Sequence, residues 1–389
     1  MDNLDRNVGL AELSTPVPVV DLDRLARNLD RMADYAGAHG LRLRPHVKTH
    51  KAPAIARQQI ARGAIGLTCA TPREVEVMGE VAHDLLLAYP PVGAAKIERL
   101  MALPADIEIA VAVDSAPVIE ALAAAARRAD RRVRVLIEVD MGLHRVGLGT
   151  PADAVALAAL ARARAPLAYA GICFYPGHLR DPIVPADPGL AALNRTIAAY
   201  IHALERAGLA PETVSGGSTP TVWHTHELEG LTEFRPGTYV YNDRTTAAIG
   251  ACKWDDCALS VLATVVSTAV PGQAVVDAGT KALGREPMRG APGEGFGQVL
   301  GHPEVLVTRM WEEHGVLDLS DTAWRPEVGE RVRIVPNHVC IVTHLFDRAV
   351  GLRGDTPATE WPIAARGRDP VATADALGPV SVGAGALGG

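Results

Sequence analysis

The stretch LRLRPHVKTHKAPAIARQQIAR, residues 41–62, shows the pattern from which the fold can be predicted. Its first part, Leu41 to Val47, is a strand-like run. Its last part, Ala52 to Arg62, has the spacing of apolar residues that is typical of an amphipathic helix. The stretch therefore reads as one β-strand followed by one α-helix, with Lys48 in the loop between them.

The same alternation of short strands and amphipathic helices continues from about residue 17 to residue 245. About eight such units in ~230 residues predict parallel strands with crossover helices, which is an α/β fold of the (β/α)8 TIM-barrel type over residues 15–248. Nine strand-like runs can be counted, so one of them must lie outside a closed barrel of eight strands or must not be a strand. The candidate strands are Pro18–Val20, Leu41–Val47, Gly66–Cys69, Leu85–Ala88, Ile107–Val113, Val133–Val139, Leu167–Phe174, Thr213–Ser215 and Phe234–Tyr241.

After residue 250 the pattern changes to Val-rich strands separated by Gly and Pro turns. This texture predicts a second, mostly β domain over residues 249–367, against which residues 1–14 are candidates to pack. The tail over residues 368–389 is rich in Gly, Ala and Pro without periodicity, so we expect it to be mobile. The candidate strands of the second domain are Leu259–Ala269, Ala274–Asp277, Val305–Met310, Arg331–Val335 and Val339–Leu345.

The composition excludes several classes of protein. The chain has 389 residues, of which 48% are hydrophobic, and a formal net charge of −7, which is typical of a soluble globular protein of about two domains. No apolar run approaches the ~18 to 20 residues of a membrane span. The N-terminus lacks the pattern of a secretory signal, and the five scattered cysteines suit a reducing compartment, so we expect a cytoplasmic protein. The mild acidity argues against nucleic-acid binding.

Lys48 is the first candidate for chemistry. It directly follows a predicted strand, and the carboxyl ends of barrel strands form the active site in enzymes of this architecture. Two histidines, His46 and His50, flank it, and the second cation, Lys51, favours the neutral amine that attacks carbonyl groups. Lys48 is therefore a candidate Schiff-base lysine. The alternative is a partly exposed lysine at the end of a strand.

Further polar groups follow other predicted strands and would face the same mouth of the barrel. The small residues Gly217, Ser218 and Thr219 can wrap an anion with their amides and hydroxyls, where barrels commonly bind phosphate. A lysine, an anion-binding loop and polar groups around one mouth describe a pyridoxal phosphate site. The alternatives are a simple loop, a salt-bridged rim and a core role for the tyrosine at position 175. The polar groups at the other strand ends are Arg145, Tyr175, His178 and Tyr241.

Six short motifs, in order between residues 15 and 366, resemble those of the D-threonine aldolase and D-serine dehydratase family. These are alanine-racemase-like, fold type III pyridoxal phosphate enzymes. The resemblance implies a barrel with a β domain, a homodimer with active sites near the subunit interface, and a divalent metal beside the cofactor. The motifs are Pro45–Lys51, Glu138–Asp140 with Gly142 and Arg145, Tyr175–His178, Gly217–Pro220, Arg235–Tyr239 and Pro336–Cys340.

The resemblance also implies a role for each candidate residue. Lys48 would hold the cofactor, with Arg145 near its pyridine nitrogen and Tyr175 among the residues that bind it. His178 would handle the proton of the substrate hydroxyl. The phosphate would be held by Gly217, Ser218, Thr219 and Tyr241.

His338 and Cys340 are the candidate metal ligands. They stand two residues apart on a predicted strand, so both side chains would leave the same face and reach one ion. Imidazole and thiolate together favour Zn²⁺, with Mn²⁺ or Mg²⁺ as the alternatives. Histidines at 224 and 226 and cysteines at 252 and 257 also have workable spacing, but we interpret both pairs as structural. The segment Glu312–Gly315 is either a group that orients a metal ligand or a turn.

The leading hypothesis is an aldolase that cleaves D-β-hydroxy-α-amino acids, such as D-threonine, to glycine and an aldehyde. The closest alternative is a D-serine or 3-hydroxyaspartate dehydratase, which would release a keto acid and ammonia. Cys340 as a metal ligand resembles the dehydratases of the family. A non-catalytic cofactor-carrying barrel and a plain racemase are further alternatives that the second domain and the metal pair disfavour. One departure from the family pattern is the residue before Leu345, where His344 replaces an expected Asn.

Overall fold

The structure is a computed structural model and describes residues 2–3, 9–179, 181–184, 187–288 and 294–368. The predicted mobile tail lies outside the described residues, apart from Arg368. The strands are, in chain order, β1 (Asp2–Asn3), β2 (Val17–Asp21), β3 (Arg42–Leu43), β4 (Leu67–Cys69), β5 (Asp84–Leu87), β6 (Glu108–Val113), β7 (Val133–Glu138), β8 (Leu167–Cys173), β9 (Thr213–Gly216), β10 (Glu233–Phe234), β11 (Leu259–Ser267), β12 (Gln273–Val276), β13 (Gly297–Val299), β14 (Val307–Met310), β15 (Gly315–Asp318), β16 (Arg331–Pro336), β17 (Arg348–Arg353) and β18 (Thr356–Pro362). The helices are α1 (Leu22–Ala38), α2 (Pro53–Ala61), α3 (Pro72–Met78), α4 (Ala94–Met101), α5 (Ala116–Arg128), α6 (Pro151–Arg162), α7 (Pro188–Arg206), α8 (Arg244–Ala248), α9 (Thr280–Leu283) and α10 (Val339–Leu345).

The strands β3 to β10 form the predicted barrel. They pair in parallel in the order β3-β10-β9-β8-β7-β6-β5-β4, and a parallel bridge between His46 and Thr68 joins the two ends of this sheet. Strands such as β6 are almost wholly buried and apolar. The crossover helices cover the outer face of the parallel sheet, and side chains fill the interior of the barrel on its inner face. The expected fold class is therefore confirmed.

The strand β2 lies outside the barrel and accounts for the surplus run in the sequence. It pairs antiparallel with β11 and parallel with β17, so it lies in the middle of the second sheet. Its residues Val19 and Val20 are fully buried there. The N-terminal residues also lie against this sheet, since β1 pairs with β18 and Leu10 packs against its buried residues.

Two strand predictions in the sequence are wrong. Residues Val339–Leu345 form the helix α10 instead of a strand, with Val339, Val342 and Thr343 buried on one face. Their spacing of three and four residues is helical, so packing overrides the preference of the β-branched side chains for a strand. The candidate strand Phe234–Tyr241 is strand only at its first residue and continues as a short 3-10 helix over Thr238–Val240.

A chain of buried polar contacts crosses the interior of the barrel. The guanidinium of Arg44 bonds to both carboxylate oxygens of Glu233, at 3.0 and 2.9 Å, and to Asp84 at 2.8 and 3.0 Å. Glu233 in turn accepts a hydrogen bond of 2.6 Å from Ser215, and Ser215 accepts one from Arg235. These contacts join β5, β9 and β10 to the segment that follows β3.

Within the part of the chain that the structure describes, no helix is both long enough and apolar enough to cross a bilayer.

Gly171 provides a test of how the barrel strands pack. Its φ is +142°, and a Cβ placed there would lie only 1.9 Å from the carbonyl oxygen of Thr213 in the neighbouring strand. We expect Gly171→Ala to lower the free energy of unfolding by roughly 3 kcal/mol or more, because the strands would have to separate. Urea unfolding followed by circular dichroism measures this change.

Gly37→Ala is the matched control. Gly37 lies in α1 without a positive φ, and a Cβ placed there would meet no neighbouring atom within 4 Å. Alanine should stabilise this exposed helical position by ~0.5 to 1 kcal/mol. A Gly171→Ala protein as stable as the wild type would contradict the close approach of β8 and β9.

Candidate active site

A cavity of about 420 Å³ opens at the carboxyl ends of the barrel strands, where the barrel meets the β domain. Its lining combines cationic, anionic and small residues with a few apolar ones, which suits a polar, charged ligand. The lining residues are His46, Lys48, Ala88, Glu138, Leu143, Arg145, Tyr175, Gly177, Gly217, Ser218, Thr219, Pro220, Arg235, Gly237, Thr238, Asp243, Thr245, Thr246, Ile249, His338 and Cys340.

Lys48 lies in a 3-10 turn, Val47–Thr49, directly after the segment that closes the barrel. The ring of His46 accepts a hydrogen bond of 3.4 Å from the Lys48 amide and so caps this turn. Burial lowers the pKa of His46 well below its usual value, and the charge of Lys48 adds to that effect. The amine of Lys48 therefore faces the cavity beside a neutral imidazole.

Lys51, the second cation near Lys48 in the sequence, does not line the cavity. It points away to Glu74, which is completely buried and accepts a hydrogen bond from the Lys51 ammonium. A buried carboxylate needs such a partner, so the charge of Lys51 is already compensated. Lys51 is therefore paired within the barrel and is not one of the cationic groups of the cavity.

Tyr175 lies between the two predicted cationic groups of the site. The Lys48 Nζ is 5.8 Å from the centroid of its ring, and the Arg145 Cζ is 5.1 Å from the same centroid. Both distances are within the range of a cation–π contact. Three residues predicted from separate strand ends therefore surround one part of the cavity.

The predicted anion-binding loop follows β9. Gly217 has a φ of +82°, and Ser218 and Thr219 are buried against the cavity. A Cβ on the preceding Gly216 would lie 2.2 Å from the ring of Phe174, so only glycine allows this approach. The loop brings small residues and two hydroxyl groups to the cavity wall, which fits an anion such as a phosphate group.

Tyr241 and His178 do not line the cavity. Tyr241 is fully buried in the apolar core between the domains, where burial raises the pKa of its hydroxyl. His178 is exposed beside the loop after β7, where a Cβ on Gly142 would lie 3.5 Å from its ring. Partial desolvation lowers the pKa of His178, although the charge of Asp140 opposes that change. A neutral imidazole is therefore available at the rim of the site.

His338 and Cys340 both reach the cavity, but not from a strand as predicted. His338 has an extended backbone and precedes α10, and Cys340 lies in the first turn of that helix. Burial raises the pKa of the Cys340 thiol, but the neighbouring His338 outweighs this and lowers it to about 7. The Cys340 Sγ also lies 3.2 Å from the Thr49 Oγ1, next to Lys48 in the chain.

This pair can supply two ligands to a metal ion. A thiol with a low pKa is readily deprotonated, which is the form that binds zinc. Among the residues that the structure describes, there is no group of three or more His, Cys, Asp or Glu side chains arranged to hold a metal.

Glu138 and Arg235 are the main site residues that the roles inferred from sequence omit. The Glu138 Oε2 is buried and has no hydrogen-bond partner, although the residue lines the cavity. Burial raises the pKa of Glu138, and the charges of Arg235 and Arg145 oppose that shift. Arg235 is held by Ser215 and by the Phe174 carbonyl at 2.8 Å. Both residues stand at strand ends inside the quoted motifs, which is the signal that could have identified them.

The other metal-like patterns lie elsewhere, as interpreted from the sequence. His224 pairs with Glu227 at 2.6 Å, and His226 bonds to the Tyr35 hydroxyl at 2.8 Å. Cys252 and the cysteine at 257 do not line the cavity. The segment 312–315 forms a turn that does not line the cavity. In this turn the amide of residue 311 donates to the carbonyl of His314.

Comparison with known proteins finds two family models in tandem. Residues 20–245 match the alanine racemase N-terminal domain, and residues 258–352 match the putative serine dehydratase domain. The first match covers the barrel and the second covers most of the β domain. Each of the two domains therefore matches a known family model.

Full-length relatives are also found. D-threo-3-hydroxyaspartate dehydratase of Delftia sp. (strain HT23) is 35% identical over 373 residues, covering 90% of this chain and 97% of that protein. D-threonine aldolase of Arthrobacter sp. is 34% identical over 367 residues, covering 92% and 94%. The crystal structure of D-threonine aldolase from Filomicrobium marinum has a TM-score of 0.86 at 34% identity, covering 93% of this chain and 98% of that one. The resemblance seen in the six motifs is confirmed: the chain belongs to the D-threonine aldolase and D-serine dehydratase family of alanine-racemase-like, fold type III enzymes.

Proposed function

We propose that the protein is a pyridoxal phosphate- and metal-dependent lyase that cleaves D-β-hydroxy-α-amino acids, such as D-threonine, to glycine and an aldehyde. One observation carries the proposal: the turn that bears Lys48 is bonded directly to the helix that bears Cys340. Thr49 contacts the Cys340 Sγ at 3.2 Å, and its carbonyl accepts a hydrogen bond of 2.7 Å from Thr343. A carbonyl-reactive amine and a metal-ligand pair therefore open into one cavity.

The residues present fit the cofactor. Lys48 would attach it, and Tyr175 and Arg145 would lie near its ring, while Gly217, Ser218 and Thr219 would hold its phosphate. When bound, pyridoxal phosphate supplies an electron sink for a bond that breaks at the substrate Cα. The orphaned oxygen of Glu138 provides an acceptor for a hydrogen-bond donor of the cofactor or the substrate.

His338 and Cys340 would hold the divalent cation. A thiolate and an imidazole suit Zn²⁺ best, and Mn²⁺ or Mg²⁺ are the alternatives. Bound there, the ion would supply a Lewis acid for the hydroxyl of the substrate.

We also propose a homodimer, on the basis of the family. We propose a reducing, cytoplasmic environment as well, which the five free cysteines support.

His178 is the proposed acceptor for the hydroxyl proton. Its imidazole has a lowered pKa, so at neutral pH the ring is uncharged and has a free lone pair that can accept a proton. It lies beside the loop that carries Arg145 and follows Gly177, which lines the cavity. In this role it would require the bound substrate to extend from the cavity towards His178.

A dehydratase is the second candidate, because Cys340 supplies a soft sulfur ligand and a relative of 35% identity is a dehydratase. In that reaction Lys48 would remove the proton from Cα, and water would leave from the neighbouring carbon. We expect the products from D-threonine and its analogues to be glycine and an aldehyde. Coupled assays that detect aldehyde and glycine in parallel with keto acid and ammonia distinguish the two; a keto acid as the main product would favour the dehydratase.

The anchoring lysine can be identified without measuring activity. Borohydride reduction of the purified yellow protein should fix the cofactor covalently, and peptide mass mapping should find it on Lys48. Lys51→Arg is the matched control and should retain the label, because Lys51 is paired with Glu74. A label on Lys51 or Lys96 instead would remove the basis of the proposed site.

The role of His178 can be separated from cofactor binding. We expect His178→Ala to lower kcat for D-threonine cleavage by ~10²-fold, which is the usual contribution of a positioned proton acceptor. The borohydride label on Lys48 should be unchanged, because His178 does not line the cavity. Near-normal cleavage in the variant would show that His178 is only a rim residue. Loss of the label would show that its role is structural.

A further inference from the structure

Asp243 lies where the barrel chain ends and α8 begins, and it is completely buried although it lines the cavity. Its carboxylate has partners on both sides. The Oδ1 accepts hydrogen bonds from the Thr246 amide at 2.8 Å and from the Thr246 hydroxyl at 2.9 Å. The Oδ2 accepts one from the Val339 amide at 3.2 Å and lies 3.1 Å from the Nδ1 of His338.

These contacts fix the orientation of the carboxylate. One oxygen is used to cap α8, which needs only a short polar side chain. The other oxygen reaches across to the segment that starts α10 and contacts both the amide of Val339 and the ring of His338. A residue that served only as the cap of α8 would not need the Oδ2 atom.

The second oxygen determines which nitrogen of His338 carries the hydrogen. A carboxylate can only accept, so the Nδ1 that faces Asp243 must be the protonated nitrogen. In the neutral imidazole the lone pair is then on Nε2, the nitrogen that Asp243 leaves free for a ligand. His338 lines the cavity together with Cys340, the second proposed ligand.

We propose that Asp243 is a positioning residue that holds His338 in the tautomer and ring orientation in which Nε2 binds the divalent cation. Carboxylates that accept from the non-ligating nitrogen of a metal-bound histidine raise its basicity and stabilise its geometry. This inference rests on the proposed metal site. Asp243 belongs to the barrel chain, whereas the proposed ligands His338 and Cys340 belong to the β domain. The barrel would therefore set the affinity of the β domain for the metal.

Zinc affinity tests the proposal without any assay of activity. Zinc is titrated into the metal-free holoenzyme in competition with a chromophoric chelator. We expect Asp243→Asn to weaken zinc binding by ~10- to 100-fold, the usual effect of losing such a partner. The Thr246 amide holds the side-chain carbonyl in the place of Oδ1, so the new NH₂ group faces Nδ1 as a donor and imposes the wrong tautomer. The borohydride label on Lys48 should be retained.

Two further variants separate positioning from helix capping. Asp243→Ser keeps a hydroxyl for the Thr246 amide but cannot reach the ring, so it should weaken zinc binding to a similar extent. Asp187→Asn is the matched control, because Asp187 caps α7 through two amides away from the cavity and should leave zinc affinity unchanged. Wild-type zinc affinity in both Asp243 variants would overturn the proposal.

The His338→Ala background shows whether Asp243 acts through the ring. In that background Asp243→Asn should cause no further loss of zinc affinity, and an equal loss would overturn the proposal. If His338→Ala itself binds zinc as tightly as the wild type, the proposed metal site fails, and this inference fails with it. A crystal structure of the zinc-loaded wild-type protein needs no variant: zinc on Nε2 supports the proposal, and zinc on Nδ1 overturns it.

Discussion

The side chain of Arg44 is the contact on which the barrel and its site depend. Its guanidinium bonds to Glu233 on one side and to Asp84 on the other, in an interior where an unpaired charge would be costly. Because Glu233 also orders Ser215, and Ser215 orders Arg235, the position of a cationic group in the cavity follows from an ion pair deeper in the barrel. Removing one partner of such a buried pair typically destabilises a protein by about 3–5 kcal/mol.

The site itself is assembled from two domains. The barrel contributes Lys48 and the loop after β9 that is proposed to bind an anion, and the β domain contributes His338 and Cys340, the proposed metal ligands, at the start of α10. Direct contacts join the two halves: Thr49 bonds to Cys340, and Asp243 bonds to His338. A small shift of one domain against the other would therefore change the distance between Lys48, the proposed cofactor anchor, and the proposed metal ligands.

The sequence predicts the barrel well because parallel strands repeat one local pattern many times, and the ends of those strands then locate the cavity. It fails where the outcome depends on long-range packing. The β-branched run after His338 favours a strand but packs as a helix. The residues of β2 have no sequence pattern that assigns this strand to the second sheet. The partners of Lys51 and His338 are not predictable from spacing either, since Asp243 and His338 are 95 residues apart.

The position of β2 has a consequence for how the chain can be divided. This strand is made near the start of synthesis, but its neighbours β11 and β17 come after the whole barrel. During translation Val17–Asp21 must therefore wait, unpaired, until more than two hundred further residues have left the ribosome. A gene fragment that begins after the barrel would therefore encode this sheet without the strand that lies between β11 and β17.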